Sequence, residues 1–125
     1  MSEKQGIKAL IFDVFGTVVD WRTSIVNECQ ELGNVKNIQI DWNLFADRWR
    51  GKYGPFMDKV RSGSIPWTNL DSLHRMALDE LLTEFDVTNL SEGEKQNLNK
   101  VWHRLTPWPD AVPGLTKLKS NFIIG

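Results

Sequence analysis

An α/β fold built around an open parallel sheet, interrupted by a long helical insert, is what this sequence predicts. Three observations carry the expectation. The apolar run Ala9-Leu10-Ile11-Phe12 breaks abruptly into Asp13-Val14-Phe15-Gly16-Thr17. Helical spacing of apolar residues then occupies most of residues 22 to 105, and a second apolar run, Phe122-Ile123-Ile124, follows a short Pro-Gly-led helix. A run that is apolar on both faces reads as a parallel strand covered on both sides, and open α/β sheets gather ligands at the carboxyl ends of their strands. Asp13 therefore stands where a ligand cleft is expected.

At 125 residues the chain fits one domain, and folding at that size buries only roughly 65% of the unfolded surface. Its net charge of -1, with 25% charged and 41% hydrophobic residues, is that of an ordinary globular protein. It offers no basic stripe for nucleic acid. The polar start Met1-Ser2-Glu3-Lys4-Gln5 leads into no signal-like segment, and nothing approaches the ~20 apolar residues needed to span a bilayer. A cytoplasmic protein with no membrane partner is expected. Cys29 is the one cysteine, which fits a reducing compartment and a small helix residue.

Within the insert, the spacing predicts four helical segments and no strand. The second carries Trp42, Phe45, Trp49, Tyr53, Phe56 and Val60 on one stripe behind a capping Asp41, and Gly54-Pro55 predicts a kink or break. The third presents Leu70, Leu73, Ala77, Leu81 and Phe85. A fourth opens on Ser91-Glu92-Gly93-Glu94, a capping-box pattern, before Leu98, Val101, Trp102 and Leu105. Arg61 to Trp67 and Thr106 to Asp110 read as loops from their Gly, Ser and Pro content. Parallel strands need a crossover, here holding the whole insert plus the short helix with Leu115 and Leu118. Two strands are few for a free-standing sheet, so the sequence reads as the amino-terminal part of a larger protein.

A nucleophilic Asp needs a dry site and a hydrogen-bond setting that keeps it ionised. Gly16 allows a sharp turn after the strand, and the Thr17 hydroxyl can reach back to a carboxylate oxygen. The same Asp-x-x-Gly spacing also builds everyday turns. The longer string Phe12-Asp13-Val14-Phe15-Gly16-Thr17-Val18-Val19-Asp20-Trp21 resembles the first motif of the haloacid dehalogenase superfamily. More narrowly, it resembles the L-2-haloacid dehalogenases (haloacid dehalogenase type II). The order of strand, Asp turn, helical insert, Pro-Gly helix and strand is similar to the amino-terminal half of those enzymes.

That resemblance implies a haloacid dehalogenase-like Rossmannoid core, present in part, with an inserted helical cap domain. Residues 1–17 would be the first core segment, 18–108 the cap, and 109–125 the return to the core. It implies hydrolysis of an (S)-2-haloacid to an (R)-2-hydroxyacid and halide through an ester on Asp13, with a small 2-haloalkanoic acid as partner and neither metal nor cofactor. Most phosphatase relatives carry a second Asp two residues after the nucleophile to protonate the leaving oxygen. Phe15 stands there instead, and halide needs no proton to leave. The resemblance places Val14, Phe15, Thr17, Arg50 and Trp67 against substrate, with Arg50 following Trp49 on a cap helix and binding substrate and departing halide. Relatives of this type often form homodimers. The later Ser or Thr, Lys and acidic group of the family have no counterparts before Gly125, so the chain is expected to be inactive alone and to need a carboxyl-terminal half.

Two alternatives stay open: a magnesium-dependent phosphatase of the same superfamily, and a non-catalytic half that needs a partner chain, for which the apolar edge at Phe122 to Ile124 speaks. His74 and His103 lack metal-ligand spacing. Trp42, Trp49 and Trp102 fall on apolar helix faces and read as packing.

Overall fold

The computed structural model describes residues 6–125. These form two compact units, one built from the stretch ending at Trp21 together with Leu105–Gly125, the other from Arg22–Arg104. In chain order the elements are β1 (Ala9–Leu10), β2 (Val19–Asp20), α1 (Trp21–Lys36), α2 (Trp42–Gly51), α3 (Tyr53–Arg61), α4 (Leu70–Glu84), α5 (Glu92–Asn99), β3 (Thr106–Pro107), α6 (Ala111–Lys119) and β4 (Ile123–Ile124), with a 3₁₀ turn at Lys100–His103 after α5.

In the first unit β1 pairs in parallel with β4, Ala9 opposite Ile123 and Leu10 opposite Ile124. Hydrogen bonds from Ile123 N to Lys8 O (2.9 Å), Gly125 N to Leu10 O (2.8 Å) and Phe12 N to Gly125 O (2.8 Å) carry the pairing to the residue before Asp13. The return of an apolar strand beside the first is thus present. The expected covering of both faces is not. Ile11 is 90% exposed and Ile123 70%, and no residue of α6 is buried. Two short strands and one nine-residue helix have too little area to cover one another. A second small ladder, absent from the sequence reading, pairs β2 antiparallel with β3. Two-residue strands are too short to show an alternation of apolar and polar residues.

The helical unit holds the well-buried core. Ile25 and Cys29 of α1, Phe45 and Trp49 of α2, Leu78 and Leu81 of α4, and Val101 are all fully buried. Trp42, Phe45, Trp49 and Trp102 form a chain of edge-to-face rings with centroids 5.2 to 6.0 Å apart, the geometry favoured by aromatic quadrupoles. Burial pushes the Cys29 thiol up to about 12, with Glu28 adding to it, so Cys29 is an inert packing residue. At Gly33 a Cβ would lie 2.7 Å from Trp42 Nε1 and 2.9 Å from Ile38 O. The bare backbone there is what lets α2 approach α1.

Local signals place the helix ends. Asp41 accepts from Leu44 N, Asn69 from Ser72 N, and Ser91 and Glu94 complete a reciprocal capping box. Helices α1 and α4 end on left-handed residues, Asn37 (φ 56°) and Asp86 (φ 55°). The next amides, Ile38 and Val87, close back on Gly33 O and Leu82 O at 2.8 Å, a Schellman closure. The Trp42-to-Val60 stripe is broken as expected, but at Lys52, ahead of Gly54-Pro55. Pro55 lies in the first turn of α3, where its missing N–H has no intrahelical partner to lose.

His74 is buried, 4% exposed. Its ring stacks on Trp102 with centroids 4.3 Å apart, and its Nδ1 has no hydrogen-bond partner among the described residues. Burial pulls its pKa from 6.5 to about 4; nearby Asp71 opposes this, and Arg50 and His103 add to it. The unfolded chain therefore takes up this proton before the folded one. The linked contribution is fully present above pH 6.5, declines as pH falls from 6.5 toward 4, and is flat below. About 3 kcal/mol of stability should be lost across that window. Urea denaturation at pH 7 and pH 4 of the protein and of His74→Phe measures it: the drop attributable to His74 should vanish in the variant.

Candidate active site

The Asp13 turn is built from three kinds of local constraint. Phe12 is the last residue tied to the parallel pair, through Gly125 O, so the strand direction aims the chain out of the sheet at Asp13. The Val14 carbonyl then gathers the amides of Thr17 (3.2 Å), Val18 (2.9 Å) and Val19 (3.2 Å), while Gly16 N donates to Val19 O at 3.0 Å. Gly16 adopts φ +89°, a left-handed conformation that costs little without a Cβ. The turn folds Thr17 back so that its Oγ1 donates to Asp13 Oδ2 at 2.8 Å. Among the described residues, Thr17 holds one carboxylate oxygen of Asp13, Oδ2.

Asp13, Val14 and Thr17 are exposed and Phe15 is half-buried. Within the described residues of the first unit, Asp13 is thus exposed where the sequence pattern predicts a dry site, because two short strands and α6 offer little area to cover the turn. Beside it a cavity of about 180 Å³ is lined by Phe12, Thr17 and Val18 from the turn side and by Asp110, Ala111, Gly114, Leu115 and Leu118 from α6 and its approach.

The other two singled-out residues lie in the helical unit. Arg50 is half-buried on α2, with its guanidinium carbon 5.0 Å from the centre of the Tyr53 ring, a cation–π distance. Trp67 sits in the loop between α3 and α4, 82% exposed. Asp13, Val14, Phe15 and Thr17 are thus brought together in one turn, and Arg50 and Trp67 belong to the other unit. Arg22 forms a two-pronged pair with Asp47, 2.7 and 3.1 Å, which holds the Asp47 carboxyl below its usual range, hydrogen bonding contributing most. His103 meets Asp71 at 2.7 Å above an open polar cavity of about 300 Å³. Among the described residues no group of three or more His, Cys, Asp or Glu side chains could hold a metal ion. No helix of the described residues is long and apolar enough to cross a membrane.

One contributor to the turn escaped the sequence reading. Trp108 donates its indole Nε1–H to Gly16 O at 2.9 Å across 92 positions of chain, and its own amide donates to Val18 O at 3.0 Å. The Pro-Trp-Pro segment looked like a loop, and no local pattern announces a partner so distant.

No family model and no curated protein matches this sequence. Solved structures do. The defluorinating L-2-haloacid dehalogenase Rha0230 is 47% identical with a TM-score of 0.90, over 95% of this chain and 49% of that one. The L-2-haloacid dehalogenase PA0810 is 43% identical with a TM-score of 0.85, over 95% and 50%. An L-2-haloacid dehalogenase from Xanthobacter autotrophicus, solved with chloropropionic acid covalently bound, shares the fold at 22% identity and a TM-score of 0.75, over 94% and 44%. The chain spans about half the length of the structures it matches. It carries the haloacid dehalogenase fold and is a relative of the L-2-haloacid dehalogenases over that half.

Proposed function

We propose that Asp13 is the nucleophile of a hydrolytic dehalogenase acting on short 2-haloalkanoic acids, the helical unit being its cap. The carrying observation is the Asp13 carboxylate held through Oδ2 by Thr17 at 2.8 Å, at the end of a strand in a chain 47% identical to an L-2-haloacid dehalogenase. Oδ1 attacks the halogen-bearing carbon from the side opposite the halogen, and halide leaves with the bonding pair, inverting the centre. Water then adds to the ester carbonyl of Asp13. The 2-hydroxyacid departs with the former carboxylate oxygen, a proton passes to solvent, and the carboxylate is regenerated. The Thr17 hydroxyl orients the attacking group throughout.

Phe15 supports carbon–halogen cleavage over phosphate-ester cleavage, because an apolar ring two residues after the nucleophile cannot protonate an alkoxide leaving group. It also favours displacement by a poorly hydrated carboxylate. Arg50 supplies the cation for the substrate's carboxylate and the departing halide, and Val14 and Trp67 supply apolar surface. Buried Cys29, the chain's one cysteine, suits a cytoplasmic setting.

The test is halide release from separate (S)- and (R)-2-chloropropanoate by this chain completed with a carboxyl-terminal half, without added metal, with chiral analysis of the product. Consumption of the (S) acid to (R)-2-hydroxypropanoate is expected. Magnesium-dependent phosphate release from a phosphate ester, with no halide release, would replace this reading by the phosphatase one.

A further inference from the structure

We propose that Trp108 is a positioning residue for the nucleophile turn, clamping Gly16 so that Thr17 stays on Asp13; its catalytic importance rests on the dehalogenase reading above. Four bonds of the turn run inward to or from Val14 and Val19, which leaves the Gly16 carbonyl, at the apex with φ +89°, facing outward. The freedom of a glycine at the apex would let the peptide after Gly16 swing, and Thr17, the next residue, would swing with it. The Trp108 indole bond at 2.9 Å removes that freedom.

The clamp is itself fixed from both sides. Pro107 has a locked φ and is the β3 partner of Val19. Pro109 keeps the residue before it out of the helical region, so Trp108 is presented as extended chain with its amide on Val18 O, 3.0 Å. The Trp108 carbonyl accepts from Ala111 N at 2.9 Å, joining the clamp to the start of α6. Trp21 packs against the same glycine, its Nε1 3.7 Å from where a Gly16 Cβ would stand. Gly16 is thus bounded on one side by a ring and tied on the other by a donor. The bonds of Trp108 run to Gly16, Val18 and Ala111, so its effect on the reaction passes through the turn to Thr17.

The experiment compares Trp108→Phe, which keeps an aromatic ring and deletes the donor, with Trp108→His, whose Nε2 occupies the ring position equivalent to indole Nε1. Two readouts are taken at pH 8: halide release from (S)-2-chloropropanoate by the chain completed with a carboxyl-terminal half, and amide hydrogen exchange by NMR. In Trp108→Phe, kcat should fall about tenfold with KM unchanged, and the Thr17 and Val18 amides should exchange about tenfold faster, the loss of one modest hydrogen bond. The Phe12 and Gly125 amides of the parallel pair should keep their rates, and Trp108→His should restore most of the loss. Unchanged exchange at Thr17 and Val18 would overturn the clamp. Equal acceleration at Phe12 and Gly125 would also overturn it, by making Trp108 general packing. A confined exchange effect in a protein that releases no halide even when completed by a carboxyl-terminal half would uphold the clamp and refute the dehalogenase reading.

Discussion

Asp13→Asn is expected to abolish halide release from (S)-2-chloropropanoate by the chain completed with a carboxyl-terminal half, by a factor on the order of 10³ or more, while leaving the fold intact. An amide is a far weaker nucleophile than a carboxylate, and no second carboxylate stands in the turn to replace it: the neighbours from Val14 to Val19 are apolar, Gly or Thr. The substitution is nearly isosteric, and Asp13 is exposed, so stability should change by no more than about 0.5 kcal/mol. Thermal melting beside the halide assay separates the two effects. A single turnover of the parent protein in ¹⁸O water adds a positive signature. The label should appear first in the Asp13 carboxylate and the product should carry unlabelled oxygen, because water attacks the ester carbonyl and not the substrate carbon. Label appearing directly in the product would mean that water, not Asp13, displaces the halide.

Trp49→Ala should be the most damaging single change in the helical unit, costing about 4 kcal/mol. The indole is fully buried and packs edge-to-face on Phe45 and Trp102. Its Nε1 donates to His74 O at 3.0 Å, a bond between α2 and α4 that truncation leaves with a buried acceptor. Against a total stability of about 5–15 kcal/mol for a domain, this is enough to leave much of the unit unfolded at 37 °C. Trp49→Phe keeps most of the ring contacts and removes the donor, so it should cost about 1–2 kcal/mol. Urea denaturation of both variants measures the pair. Equal losses would place the cost in the hydrogen bond, and a small loss in both would mean that the core relaxes around the space.

The caps were legible because capping is local: Asp41, Ser91 and Glu94 each act on amides within three residues, and sequence spacing alone places those groups within reach. Trp42, Trp49 and Trp102 were legible as core because apolar periodicity selects the inward face of a helix. The turn at Asp13 was legible for the same reason, since Gly16 and Thr17 act on groups three or four residues away. The helix break was foreseen but misplaced, because a proline in a first turn marks a start where the spacing suggested an interior. His74 as a buried, acid-sensitive ring was not legible. Its pKa shift comes mainly from burial in the packed helical unit, against the opposing charge of Asp71.

What the sequence by itself determined are the interactions of short range: which segments are helical, where they are capped, and that a carboxylate, a glycine and a hydroxyl form one turn after an apolar strand. Only the tertiary structure decided the interactions that close long loops. These are the β2–β3 ladder, the Gly33 contact that sets α1 against α2, and the Trp108 bond that ties the Asp13 turn to a segment 92 positions away. It also decided exposure, leaving Ile11 and Ile123 open where their pattern suggested burial. The physical reason is common to all of these. A residue's type states what it can bond or bury, but which group meets it across a closed loop depends on the packing of every element between them.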